Sequence, residues 1–318
     1  MTDIQGRSCP LHYRYNPRDL CRSPQPAEGQ VVYVVGGLYG NPYALDAIEA
    51  MAAAEQRHGN RVQLVFNGDF NWFNADDDLF RSINQRVLSH TVSLGNVEYE
   101  LASPSDSAGC GCAYPEFVDQ SVVARSNRIM EQLQAVAEKY RDIGRTLAEL
   151  PRFRCLMFGG LKVLVLHGDP ESLAGWGLSR ETLTDGGCER LKEWFRKTDA
   201  DVILCTHTCL PLLWSGEVDG RPRLLANNGS AGMGNLAGDP RGLIIRVASS
   251  PAVTGAMAGV SGAGLDLDLL PVAFDLPAWL AEFDRLWPAT TPAAVSSRQR
   301  ILEGTPLQPE ELMLHHTC

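Results

Sequence analysis

The stretch that most constrains this chain is Val62–Asp69, VQLVFNGD. A short apolar run that breaks into Asn-Gly-Asp reads as a buried strand of a parallel sheet, with a carboxylate carried out at its C-terminal end. Open α/β sheets place their ligands at that edge. Three other strand-like runs end in a metal-ligand residue type: VSLGN at Asn96, KVLVLHG at His167 and DVILCTH at His207. A lone His or Asn at a strand end is usually a cap or a turn residue. Asp, Asn, His and His at four successive strand ends form a set suited to a borderline or hard divalent metal.

The ordered set Gly68-Asp69, Gly95-Asn96, His167 and His207 resembles the signature of the calcineurin-like metallophosphoesterases, over roughly residues 30–250. That signature runs D-x-H, G-D-x-x-D, G-N-[HC]-[DE], a lone His and G-H-x-H. Gly40-Asn41 after the first strand and Asn228-Gly229-Ser230 after the last motif support the match. The departures are specific. Gly37-Leu38-Tyr39 stands where the family has D-x-H, and Trp72 replaces the second Asp of G-D-x-x-D. Val97 follows Asn96 where the family has His or Cys, and Glu98 comes next. Thr206 replaces the Gly of G-H-x-H, and Cys209 replaces its last His.

The resemblance implies a four-layer α/β/β/α sandwich of two sheets flanked by helices. It implies one metal held by Asp69, Asn96, His167 and His207, a set that is intact. A second metal would keep only Asp69, with Tyr39 and Cys209 at altered positions. The expected cofactor is a divalent ion (Mn, Fe or Zn), with one tight site and a second weaker one. The expected reaction is hydrolysis of a phosphate mono- or diester by a metal-bound hydroxide, with Asp69, His167 and His207 as its catalytic core. Val97 cannot serve as leaving-group acid, and Glu98 would point elsewhere if the segment is extended. Two other readings stay open. One is a silent relative that binds a phosphorylated ligand or a protein partner. The other is a repurposed site in which Tyr39 and Cys209, with Cys110 or Cys112, make a softer centre for iron or zinc.

The rest of the chain frames that core. Its 318 residues suit one large α/β domain, and 44% hydrophobic content supplies a sizeable core. A formal charge of −10 argues against nucleic acid as a main partner, and the resemblance implies a small phosphorylated substrate. No run is long enough to span a bilayer and no signal-peptide pattern opens the chain, so the expectation is a cytoplasmic protein. Nine cysteines in this length read as buried thiols or metal ligands rather than a disulfide scaffold.

Residues 1–29 read as an arm packed over the domain through Tyr13 and Tyr15, with Cys9, His12 and Cys21 as a weak zinc candidate. Val31–Val35 is the first strand, and Asn41-Pro42 opens a helix over Ala44–Gln56. Phe70, Trp72 and Phe73 either wall a pocket or pack between layers. Asp76, Asp77 and Asp78 read as the acidic first turn of a helix over Leu79–Val87. Cys110-Gly111-Cys112 lies in a loop of small residues. Asp119–Leu150 reads as a helical hairpin, broken near Gly144, inserted around 115–150. Gly159-Gly160 turns a hairpin between Phe153–Phe158 and Leu161–Leu166. A helix over Cys188–Lys197 and strands Asp201–Cys205, Leu224–Asn228 and Gly242–Val247 complete the core. The Gly-rich stretch 229–242 lacks the Lys-Ser/Thr of a P-loop. Residues 251–318 are an extension with a helix near Trp279–Leu286, and a tail whose His315, His316 and Cys318 reflect chance composition.

Overall fold

The structure, a computed structural model, describes residues 5–7, 9–105, 107–252 and 255–314. His315, His316 and Cys318 lie outside the described residues. In chain order the strands are β1 (Gln25–Pro26), β2 (Val31–Val35), β3 (Val62–Phe66), β4 (Thr91–Val92), β5 (Phe153–Phe158), β6 (Leu161–Leu166), β7 (Val202–Cys205), β8 (Pro211–Val218), β9 (Arg221–Asn228), β10 (Gly242–Ala248), β11 (Ala258–Gly262) and β12 (Leu265–Val272). The helices are α1 (Pro42–Arg57), α2 (Asp77–Val87), α3 (Asn96–Ala102), α4 (Gln120–Ala137), α5 (Arg141–Glu149), α6 (Arg180–Thr184), α7 (Cys188–Thr198), α8 (Leu276–Leu286) and α9 (Pro292–Glu303).

Two six-stranded sheets result, in the orders β11-β12-β10-β2-β3-β4 and β1-β5-β6-β7-β9-β8. In the first, β2, β3 and β4 run parallel, and β10 pairs antiparallel with β2. In the second, β6, β7 and β9 run parallel. Side-chain alternation along each strand fixes the layers. Val32 and Val34 of β2 pack between the sheets with Val163 and Val165 of β6 and Val202 and Leu204 of β7. Their neighbours point the other way. Val31, Tyr33 and Val35 meet Leu45 and Ile48 of α1. Leu164, Leu166 and Ile203 meet Leu191, Trp194 and Phe195 of α7. Each fully buried side chain such as Ile48 or Phe195 contributes about 1.5–3 kcal/mol. The architecture is the expected α/β/β/α sandwich.

Local chemistry sets the element ends. Asn41 caps α1 by accepting from Ala44 N, with Pro42 at the first position. Asp76 caps α2 by accepting from Asp78 N and Leu79 N, so the acidic cluster is a helix start. The hairpin at Gly159-Gly160 pairs Phe158 with Leu161. Four expectations differ. Asn96 does not end a strand: β4 stops at Val92, and Asn96 is the first residue of α3, capped at Gly95. The helical hairpin breaks at 138–140, because Tyr140 leaves α4 to pack on Phe80 and under Arg81. Gly144 is an open position inside α5. Residues 258–272 are two strands that extend the first sheet, and α9 is a full helix that the composition alone concealed.

Tyr13 of the N-terminal arm is fully buried, and its hydroxyl donates to Glu100 Oε1 at 2.5 Å. Cys9, His12 and Cys21 go to different partners: Ser172, the Tyr99 ring and the Cys155 region respectively. Among the described residues, no helix is long and apolar enough to cross a membrane.

Candidate metal centre

Four chain segments meet at the C-terminal ends of β3, β6 and β7 and the start of α3. Asp69, His167 and His207 lie close enough for one ligand atom from each to fall within 4.8 Å of the others. Asn96 joins them: its Oδ1 is 3.0 Å from His167 Nε2. His167 Nε2 is also 3.1 Å from His207 Nδ1 and 3.4 Å from Asp69 Oδ1. All four residues are at least 90% buried.

The outer partners decide which atoms can donate. His167 Nδ1 lies 2.9 Å from the Asn67 carbonyl, which only accepts, so Nδ1 carries the proton and Nε2 a lone pair. His207 Nε2 lies 3.0 Å from the Cys112 carbonyl, leaving Nδ1 with a lone pair. Asn96 Nδ2 donates to the Cys110 carbonyl at 3.0 Å, which turns Oδ1 inward. Two ring lone pairs and an amide oxygen therefore face one another, with Asp69 Oδ1, which also accepts from the Val97 N–H at 3.4 Å, beside them. Burial holds the imidazoles neutral, His167 down to about 4 and His207, by burial and the neighbouring His167, well below the usual imidazole range. Burial also pushes the Asp69 carboxyl up to about 7. Buried acceptors without donors are costly, about 1–3 kcal/mol each. A divalent cation would satisfy all four. Ligands bound about 2.0–2.2 Å from such an ion stand about 3.0–3.5 Å apart, the spacing of the other three atoms from His167 Nε2. The donor set of two imidazoles, one carboxylate and one amide oxygen suits Zn, Mn or Fe.

The motif glycines make this approach possible. Gly68 has φ +102°, and a Cβ there would lie 2.5 Å from the Gly95 backbone and 2.6 Å from His167 Nδ1. A Cβ on Gly95 would lie 2.6 Å from Asp69 Oδ1. The sheets are also stitched together beneath the cluster. Asn67 Nδ2 donates to the Leu166 carbonyl, and Asn228 Nδ2 donates to the carbonyls of Gly36 and Leu243.

Glu98 has a role that an extended reading of the segment misses. In the first turn of α3 it is wholly buried and turns back toward β3. Its carboxylate accepts from the backbone N–H of Asp69 (2.8 Å), Asn71 (3.0 Å) and Gly95 (3.0 Å). Asp69 has φ 56°, a left-handed conformation that costs a non-glycine residue about 1–2 kcal/mol. The Glu98 clamp holds that conformation. Its carboxyl is pushed up to about 7, first by burial and then by Asp69. The sequence signal for it was Gly95 followed three residues later by Glu, a helix-start pattern.

Tyr39 and Cys209 come together beside this cluster without joining it. Tyr39 Oη and Cys209 Sγ are 2.8 Å apart, and both residues have left-handed backbones. Gly37, also left-handed, leaves the space that the Tyr39 ring fills: a Cβ there would lie 3.0 Å from Tyr39 Cζ and 3.1 Å from Oη. Burial pushes the Tyr39 phenol and the Cys209 thiol up, so both keep their protons. Cys110 and Cys112 reach the cluster through their carbonyls, on Asn96 and His207, and the Cys112 thiol accepts from Asn96 Nδ2 at 3.6 Å, but neither thiol is among the His, Cys and acidic ligand atoms that converge.

A cavity of about 240 Å³ opens on the site. Asp69, His207, Tyr39 and Cys209 line it, with Trp72, Tyr114 and Trp176 as aromatic walls and Arg300 of α9 at one side. Val97 lines it as well and offers no proton. Of the three aromatics after Asp69, Trp72 is the wall, whereas Phe70 and Phe73 are core. Trp176 donates to the Cys112 carbonyl and packs edge-on against His207. A wider depression lined by Tyr33, Glu55 and Arg246 lacks the converging acceptors that mark the site at Asp69.

No protein-family model matches the sequence, and no curated protein matches it. Solved structures do. A metallophosphoesterase from Sphaerobacter thermophilus superposes with a TM-score of 0.53 at 18% identity, covering 86% of this chain and 100% of that one. A hypothetical protein from Pyrococcus horikoshii superposes with a TM-score of 0.55 at 15% identity, covering 87% of this chain and 99% of that one. The fold of this chain is that of the metallophosphoesterases.

Proposed function

We propose that the chain is a metal-dependent phosphoesterase that acts on a small phosphate mono- or diester and carries one tightly bound divalent ion. The carrying observation is the convergence of four buried acceptors, Asp69 Oδ1, Asn96 Oδ1, His167 Nε2 and His207 Nδ1, the last three each turned inward by an outer partner. When bound, the ion supplies a lowered water pKa and positive charge against the phosphoryl oxygens. Asp69, Asn96, His167 and His207 hold it. Glu98, Asn67 and the carbonyls of Cys110 and Cys112 keep those ligands in place, the role outer partners have at metal sites. Trp72, Tyr114 and Trp176 narrow the cavity and limit the water around a bound ester.

Tyr39 and Cys209 satisfy each other, so the second position of a two-metal site is filled by a protonated pair and any ion there binds weakly. Val97 leaves no leaving-group acid at its position, a loss that typically costs about a hundredfold to ten-thousandfold. Esters with good leaving groups are therefore the preferred substrates. The test is to load the metal-free chain with Mn²⁺ or Zn²⁺ and assay an aryl phosphate and its phosphodiester. Hydrolysis that tracks a single bound ion supports the reading, and a fully loaded chain without hydrolysis refutes it. In that case Val97 and the Tyr39–Cys209 pair favour a protein that binds a phosphorylated ligand without turning it over.

A further inference from the structure

Arg300, half-buried in the cavity wall, differs from the two buried arginines that are ion-paired. Arg223 pairs with Asp201, and Arg246 pairs with Glu55 and Asp268. Arg300, in the last turn of α9, meets only neutral acceptors: the carbonyls of Gly234 (3.0 Å) and Cys209 (2.6 Å), Asn235 Oδ1 (3.3 Å) and Ser230 Oγ (3.4 Å). Among the described residues its Nη1 makes no hydrogen bond and no carboxylate pairs with it. These contacts hold the guanidinium rigidly without neutralising it, in a chain of formal charge −10.

The placement of that charge is informative. Arg300 lines the same cavity of about 240 Å³ as Asp69 and His207. It grips the Cys209 carbonyl, and the Cys209 thiol meets the Tyr39 hydroxyl. Arg300 thus backs the wall where a D-x-H motif and a last His would have held a second ion. In two-metal sites the second cation stabilises charge on the attacking or leaving oxygen. A guanidinium offers a planar fork matched to phosphate oxygens, and its charge does not depend on pH.

We propose that Arg300 binds a nonbridging phosphoryl oxygen of the substrate and takes the electrostatic role of the missing second metal ion. The proposal rests on the phosphoesterase reading above. Its physical content is a cation fixed in advance where negative charge must sit, so that little reorganisation is needed when the ester arrives. The neutral clamp from Gly234, Cys209, Ser230 and Asn235 sets its direction, and Nη1 is left for the ligand.

The experiment uses the full chain loaded with Mn²⁺ and two readouts besides turnover: metal content by elemental analysis, and calorimetric affinity for inorganic phosphate. Arg300→Gln should keep the bound metal, weaken phosphate binding at least tenfold and lower kcat/KM on an aryl phosphate by about a hundredfold. Arg300→Lys should fall between wild type and Arg300→Gln. Added guanidinium ion should partly restore phosphate binding to Arg300→Ala. If these variants do not fold, wild type still decides: phenylglyoxal should modify Arg300, mapped by mass spectrometry, and inorganic phosphate should protect it. Wild-type phosphate affinity in metal-loaded Arg300→Gln would overturn the proposal, as would modification that phosphate leaves unchanged. A wild-type chain that binds phosphate through Arg300 but hydrolyses nothing would instead remove the phosphoesterase reading.

Discussion

Two pockets of polar atoms sit side by side at the sheet edge, and they are built on opposite rules. Around His167 every inward atom accepts: Asp69 Oδ1, Asn96 Oδ1, His167 Nε2 and His207 Nδ1, with spacings of 3.0 to 3.4 Å about the His167 nitrogen. Around Cys209 a phenol and a thiol share a hydrogen bond at 2.8 Å, and the thiol also meets the His207 carbonyl at 3.2 Å. The first pocket gathers acceptors that could hold a metal ion, and the second pairs its own donors and acceptors. The number of ligand-type residues does not separate them, because tyrosine and cysteine are themselves metal ligands. What separates them is whether each polar atom already has its proton and its partner.

The contrast can be broken most severely at His167. His167→Ala removes the atom on which the other three acceptors centre, so tight metal binding and hydrolysis should vanish together. Elemental analysis and an aryl phosphate assay check this, and metal retained at full occupancy would show that the acceptors do not form the site. Asn96→Ala should act in the same direction, with part of the metal retained at high concentration.

Glu98→Gln comes next. Both carboxylate oxygens accept from backbone N–H groups, so one amide N–H of Gln must face a backbone donor. The loss should be about 1–3 kcal/mol of stability in a denaturation curve. Metal affinity should fall about ten- to a hundredfold, as for other outer partners of metal ligands. An unchanged metal affinity would make Glu98 a stability residue only.

The third change sharpens the comparison by converting the second pocket into the first kind. Gly37→Asp alone should cost about 1–2 kcal/mol, because the position is left-handed and its Cβ meets the Tyr39 ring. Gly37→Asp with Tyr39→His removes that ring and supplies two acceptors. It should raise the metal content from one ion per chain toward two. A double variant with unaltered stoichiometry would mean that the Cys209 side of the pocket blocks an ion by itself. The smallest effect belongs to the thiols. Cys110→Ser and Cys112→Ser keep the carbonyls that orient Asn96 and His207, so metal stoichiometry should hold and affinity should change by less than about tenfold. A change of metal identity in Cys112→Ser would return the thiol to the ligand set.

Much of this was legible in the sequence where local chemistry alone decides. The Asn41-Pro42 start of α1, the Asp76 cap of α2 and the hairpin at Gly159-Gly160 follow from residues within a turn of one another. Asp69, His167 and His207 were legible as neighbours because each follows an apolar strand that has to reach the same edge. Asn96 was placed at a strand end because VSL is β-like. In the fold, β4 stops at Val92 and the chain turns into α3, which swings Glu98 back under Asp69. That reversal depends on contacts between β3 and α3, far apart in sequence. The same is true of Arg300. Thr291-Pro292 and Gly304 bracket α9 by ordinary capping rules, but nothing local brings its last turn to the cavity. The Cys110–Cys112 loop misled for a simpler reason: thiols are visible in a sequence, whereas the carbonyls that do the orienting belong to every residue.

The central claim is that one of the two pockets requires a cation and the other does not. Titrating Mn²⁺ into the metal-free chain by calorimetry tests it most directly. The account predicts one tight binding event per chain, absent in His167→Ala and intact in Tyr39→Phe. Two equivalent tight sites, or a tight site that survives His167→Ala and disappears in Tyr39→Phe, would contradict it.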